Sequence, residues 1–169
     1  FNRLLEKKVP RLSLLPTIAR EIALKHHQPR IPEPMVMDEQ DQVDAFAEAG
    51  RIDGIMAASY LFQSARICQV IQECNHVIDL GCGPATQLAQ VAALNPDIQF
   101  TGYDMSEEML DSGKEYLDGL GIENVELKYG DITNLTNVAD HSIDGIMSTM
   151  VLHQLPEFAM LESTFMEIA

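Results

Sequence analysis

At 169 residues, with 46% hydrophobic and 22% charged side chains, the sequence has the length and composition of one globular domain able to bury a core. No run of about 18 apolar residues occurs, so no transmembrane helix is expected, and the first residues lack the apolar stretch of a secretory signal. The net charge of −15 is unevenly spread: residues 1–30 hold seven Lys/Arg against Glu6 and Glu21, and the strongly acidic remainder repels nucleic-acid phosphates.

Residues 1–34 read as a basic N-terminal arm and linker. Within it TIAREIAL is a short, weakly amphipathic stretch expected to cap the domain as a helix, with an anionic membrane surface as the alternative partner. PRIPEPM (29–35) is proline-dense and extended. Residues 35–73 read as a helical cap region, with Val43, Phe46, Ala47, Ile55, Met56, Tyr60, Ile67, Val70 and Ile71 at helical spacing and a break at Gly50 and Gly54. Cys68, Cys74 and Cys82 form no C-x-x-C pair and no even-numbered framework, which points to a reducing, cytoplasmic setting.

From residue 74 to 169 short strands alternate with helices, the pattern of an α/β fold: a Rossmann-like, doubly wound, mostly parallel sheet with helices on both faces, preceded by N-terminal helices. VIDL (77–80) is the first strand and a helix follows over 85–94. IQFTGY (98–103) is the second strand, with Asp104 just past its end. SEEML opens the next helix with Ser106 as N-cap and two glutamates where the helix dipole favours them. NVELKY (124–129) and SIDGIMS (142–148) are the third and fourth strands, and Phe158, Leu161, Phe165 and Ile168 mark one face of a last helix. An apolar fourth strand with no strand after it predicts an incomplete sheet, belonging to a longer chain or completed by another copy at its edge.

The loop after the first strand decides the ligand class. Gly81 and Gly83 match two positions of the dinucleotide fingerprint G-x-G-x-x-G, but Thr86 stands at the third, and no G-K-[ST] follows for a P-loop. No lysine or arginine lies between Arg66 and Lys114, so a phosphate there would have to be held by backbone amides alone. Asp79 would repel a pyrophosphate and attract an ammonium group. Asp104, 21 residues beyond Gly83, is placed for both hydroxyls of a ribose, and Asp131 for an exocyclic amine such as that of adenine. An ammonium, a ribose and an adenine without phosphate describe S-adenosylmethionine. An NAD-dependent oxidoreductase is the weaker reading, and each aspartate alone could instead satisfy loop amides.

VIDLGCGPA, GYDMSEEML, YGDITNL and IDGIMSTMVLHQL, in that order, resemble the class I S-adenosylmethionine-dependent methyltransferases, and among these the small-molecule enzymes that include the quinone-biosynthesis C-methylases. The resemblance covers residues 70–169. It implies that Asp79, Gly81 and Gly83, with Cys82 between them, frame the methionine end; that Asp104 holds the ribose; that Met105 covers one face of the adenine and Asp131 with Ile132 its edge; and that Ser148 touches the methionine part through its backbone. The product would be S-adenosylhomocysteine. Ala85 stands where the family's commonest pattern has a third glycine, and the basic turn and three further strands that usually follow are not in the sequence, so a C-terminally truncated enzyme or a non-catalytic cofactor- or partner-binding piece is expected. Aminopropyl transfer on the same fold is a further alternative.

His153 follows the fourth strand, where the acceptor should lie, and is the candidate base; it is equally able to pack on the cofactor or bond the backbone. Cys82 reads as loop filler, Asp144 as a solvated strand residue, and no histidine or cysteine has metal-ligand spacing. Tyr60, Phe62 and Met56 are the cap residues expected to meet the acceptor. STMV after the fourth strand lacks the Pro-Pro-aromatic and Pro-Cys signatures of DNA methylation, which leaves a small or lipid-like acceptor.

Overall fold

A computed structural model describes residues 34–169, so the basic arm and most of its linker lie outside the described residues. The first two helices are α1 (Gln40–Gly50) and α2 (Ala57–Val70), separated where Gly50 and Gly54 predict a break. α1 buries Val43, Ala47 and Gly50 at helical spacing. Gly50 is needed for close approach, because a Cβ there would lie 2.4 Å from the Thr86 hydroxyl and 2.9 Å from the Tyr60 ring. α2 buries Tyr60 and Ser64, while Ile52, Ile55 and Val70 stand largely in solvent, so the expected apolar stripe is narrower than its sequence suggests.

The strands are β1 (His76–Leu80), β2 (Gln99–Asp104), β3 (Val125–Tyr129) and β4 (Gly145–Met147), all parallel in the order β3-β2-β1-β4. β1 is central and buried on both faces, which explains why it is apolar from Val77 to Leu80 except at Asp79. Its residues alternate between two cores: Val77 joins Leu88, Val91, Phe100 and Leu117 on one face, and Ile78 and Leu80 join Tyr103, Ile132, Leu135 and Leu155 on the other. Two helices, α3 (Thr86–Leu94) and α4 (Glu107–Leu120), contribute to the first core. The last, α5 (Phe158–Ile168), packs on the second through Met160, Leu161 and Ile168.

Three sequence expectations need correction. α5 does not bury the face marked by Phe158 and Phe165, which are 73% and 52% exposed; Thr164 is its buried residue, its hydroxyl returned to the Met160 carbonyl. The fourth strand is three residues long rather than seven, because only Gly145–Met147 pair with β1. Asp144 is not merely solvated: its carboxylate accepts the Asn75 and His76 amides at 2.7 and 3.0 Å, and those bonds hold it below the usual carboxylate range.

Ser106 caps α4 as expected, accepting the Met109 amide at 3.1 Å, and it also donates to the Met37 carbonyl at 2.8 Å. That second bond ties the chain before α1 to the end of β2. The Asn124 amide reaches the carbonyls of Ala92, Asn95 and Ile98, stapling the end of α3 to the start of β2. Among the described residues no helix is long and apolar enough to cross a membrane.

Candidate cofactor and acceptor site

The strand order reverses between β1 and β4, and in an open parallel sheet the crevice for a ligand opens at that switch, beyond the carboxyl ends of the strands. A cavity lies there. Asp79, Gly81, Cys82 and Gly83 from β1 and its loop line it, with Asp104, which closes β2 instead of lying just past its end, Met105 after it, and Asp131 and Ile132 after β3.

The glycine loop is built by its own backbone. Gly81 (φ +75°) and Gly83 (φ +52°) take left-handed conformations, and a Cβ on Gly81 would meet a Val151 methyl at 2.4 Å. The Gly81 and Cys82 amides donate to the Tyr103 carbonyl, the Gly83 amide to Asp104 Oδ2 at 2.8 Å, and the Ala85 amide to the Cys82 carbonyl. Pro84 has no N–H. These loop donors are therefore spent inside the protein, and they do not form the amide cradle that a pyrophosphate needs. Ala85, at the position of the family's usual third glycine, is fully buried with φ +54°.

Asp79 is 3% exposed, and its Oδ1 is the one buried side-chain polar atom among the described residues that lacks a hydrogen-bond partner. Burial, reinforced by the Asp104 carboxylate, pushes its pKa up to about 7. An unpaired buried carboxylate facing a cavity fits an ammonium group, whose charge would repay the desolvation. Asp104 receives the Gly83 amide on one oxygen and the Ser106 amide on the other, 2.8 and 3.0 Å long, which orients the group while leaving a lone pair on each. Asp131 Oδ1 accepts both the amide and the hydroxyl of Thr133, so Oδ2 is the oxygen left for a ligand. Burial, with Asp79 and Asp104 nearby, drives the Cys82 thiol well above its ordinary pKa, which suits packing and not nucleophilic attack.

Two of the expected residues stand apart. Ser148 does not line the cavity; its hydroxyl donates to the Leu80 carbonyl at 2.9 Å and fixes the end of β4 against β1. His153 lies exposed in the 3-10 turn Leu152–Gln154, whose cavity-lining residue is Gln154. Of the cap candidates Tyr60 lines the cavity and Phe62 and Met56 do not. The Tyr60 phenol is raised above its ordinary pKa by burial and then by the charge of Asp79, so it remains neutral.

Sequence reasoning missed Phe46, Gln87 and Thr149, which also line the cavity. Gln87 is 5% exposed; its Nε2 donates to Gln63 Oε1 at 3.0 Å, and its Oε1 accepts a short hydrogen bond from the Thr149 hydroxyl. One amide thus joins α2, α3 and the segment after β4. The available signal was a glutamine in the first turn of a mostly apolar helix. No group of three or more metal-ligating side chains occurs among the described residues.

A methyltransferase-domain family matches residues 71–166. The demethylmenaquinone methyltransferase of Bacillus cytotoxicus is 35% identical over 82 residues, which are 48% of this chain and 34% of that one. The arsenite methyltransferase of Halobacterium salinarum is likewise 35% identical over 82 residues, 48% of this chain and 21% of that one. The chain thus spans about a third or less of these curated relatives. A solved S-adenosylmethionine-dependent methyltransferase from Aquifex aeolicus superposes with a TM-score of 0.60 at 18% identity, over 79% of this chain and 68% of that one, and so shares the fold. A structure from Methanococcus maripaludis assigned to the same activity gives 0.68 at 17% identity, over 83% of this chain and 61% of that one. With the parallel sheet, the glycine loop and the strand-end carboxylates in place, the chain belongs to the class I S-adenosylmethionine-dependent methyltransferases.

Proposed function

We propose that the protein transfers a methyl group from S-adenosylmethionine to a small, apolar acceptor held between the strand ends and the helical cap. The single observation that carries the reading is the unpaired Asp79 Oδ1, buried in a cavity whose walls contain no lysine or arginine. Such a site favours a ligand with a cation at one end and no phosphate.

When bound, the cofactor supplies an electrophilic methyl: the bond from methyl carbon to sulfur breaks, its electron pair stays on sulfur, and the acceptor gains the methyl and gives up a proton. The protein's share is binding, alignment and exclusion of water. Asp79 would pair with the ammonium group, Gly83 would leave room beside the methionine chain, and Gly81 makes the turn against Val151. Asp104, steadied by two amides, accepts the ribose hydroxyls. Met105 would cover one face of the adenine, and Ile132 with Asp131 Oδ2, which would accept from the amine, would meet its edge. Met35, Phe46 and Tyr60 close the cap side with apolar surface and one neutral hydroxyl. The name of the Bacillus cytotoxicus relative agrees with a quinone-like acceptor, and the wall's aromatic and thioether groups suit one.

Calorimetric titration with S-adenosylhomocysteine, with NAD as control, tests the cofactor. Selective binding of the former is expected. Binding of NAD alone would replace this reading with a nucleotide-dependent oxidoreductase.

A further inference from the structure

Met150 lines the same cavity as the carboxylates, and its backbone is held in an uncommon conformation. It sits between β4 and the 3-10 turn with φ +61°, a left-handed conformation that strains a non-glycine residue. Its neighbours are fixed on every side. The Ser148 hydroxyl is bonded to the end of β1, the Thr149 hydroxyl to Gln87 in α3, and Val151 is packed against Gly81 closely enough to exclude a Cβ there. A glycine would make the same turn without strain, so what methionine adds is its side chain. That side chain lines the cavity and is still 43% exposed, which places it at the mouth.

The cofactor carboxylates stand at the carboxyl ends of β1, β2 and β3, whereas Met150 follows β4, across the reversal of the sheet. Five of the nine methionines line this one cavity, whose wall also contains Phe46 and Tyr60. Thioethers are polarizable, adapt to shape, and lie well on aromatic rings. We propose that Met150 is the specificity-determining residue of the acceptor end, closing the mouth over a flat aromatic or quinoid ring and disfavouring thicker acceptors. The inference rests on the cofactor reading above, since that reading assigns the opposite wall.

The test uses the full chain with isotope-labelled methionine methyl groups, Met150 being assigned by its absence from a Met150→Ala spectrum. S-adenosylhomocysteine and β-naphthol are titrated separately and together. β-Naphthol is expected to shift the Met150 methyl by its ring current, with or without S-adenosylhomocysteine, whereas S-adenosylhomocysteine alone moves Met105. Met150→Gly, which suits the turn, and Met150→Ala are each expected to weaken β-naphthol about three- to tenfold. Met150→Gly should also lower the preference for β-naphthol over the thicker adamantanol. A Met150 methyl that β-naphthol leaves unmoved, or an unchanged preference in the glycine variant, overturns the proposal. Failure of S-adenosylhomocysteine to bind overturns the cofactor reading instead, because the β-naphthol titration reads Met150 without it.

Discussion

At residue scale the site is held in a state that costs the ligand-free protein stability, and Asp79 shows how much. Its folded pKa is raised from 3.8 to about 7, so the folded chain holds this proton more tightly than the unfolded chain does. The contribution is therefore favourable at low pH and is lost as pH rises from about 4 to about 7, on the order of 4 kcal/mol in all. Asp79→Asn removes that titration. Urea unfolding across this pH range is expected to give a wild-type curve that falls relative to the variant's, with the variant the more stable at pH 8; parallel curves would show that Asp79 is not buried as a charge. The same linkage reaches binding, because an ammonium ligand needs the ionised carboxylate. Affinity for S-adenosylhomocysteine should drop by up to about tenfold per pH unit below pH 7 in the wild type, and the Asp79→Asn variant should bind weakly at every pH. Asp104 carries a second prediction: Asp104→Ala should lose two charge-assisted bonds to the ribose, about 1.5–3 kcal/mol each, measured by calorimetry. Because Asp104 also holds the Gly83 and Ser106 amides, that variant should unfold at lower urea as well.

At the scale of elements, Ser106 does two jobs at one position, capping α4 and bonding the segment that ends at Met37. Ser106→Ala should cost about 1–2 kcal/mol for the cap, read as a lower urea midpoint, and should loosen affinity for β-naphthol because Met35 and Met37 line the cavity. This cap was legible in the sequence, since serine followed by two glutamates is a local signal. So was β1, whose burial on both faces leaves a run apolar but for Asp79, and with it the strand-end aspartates, because a parallel sheet fixes where strands end. α5 was not: apolar residues surround most of FAMLESTFMEI, so periodicity does not choose a face, and the second core, with Ile132, Leu135 and Leu155 beside β1, does. Gln87 and Thr149 were hidden for a related reason. Gln87 meets Gln63 24 positions away and Thr149 62 positions away, and no local pattern records contacts of that range.

At the scale of the molecule, charge dominates. The chain carries −15, and the two salt bridges among the described residues, Lys114 to Asp111 and Lys128 to Glu126, are exposed pairs of the kind that contribute little. Added salt therefore screens few attractions and many repulsions, and the balance favours the compact state. The urea midpoint should rise between 10 and 500 mM NaCl, where about 30 Å of screening length shrinks to a few ångströms. A midpoint that falls would mean that attractive pairs outweigh the repulsion. The same screening should leave affinity for S-adenosylhomocysteine nearly unchanged, because the Asp79 carboxylate that would meet its ammonium is buried beyond the reach of mobile ions. A binding constant that fell as steeply as an exposed ion pair's would place the ammonium at the surface, away from Asp79, while the rise in stability would stand.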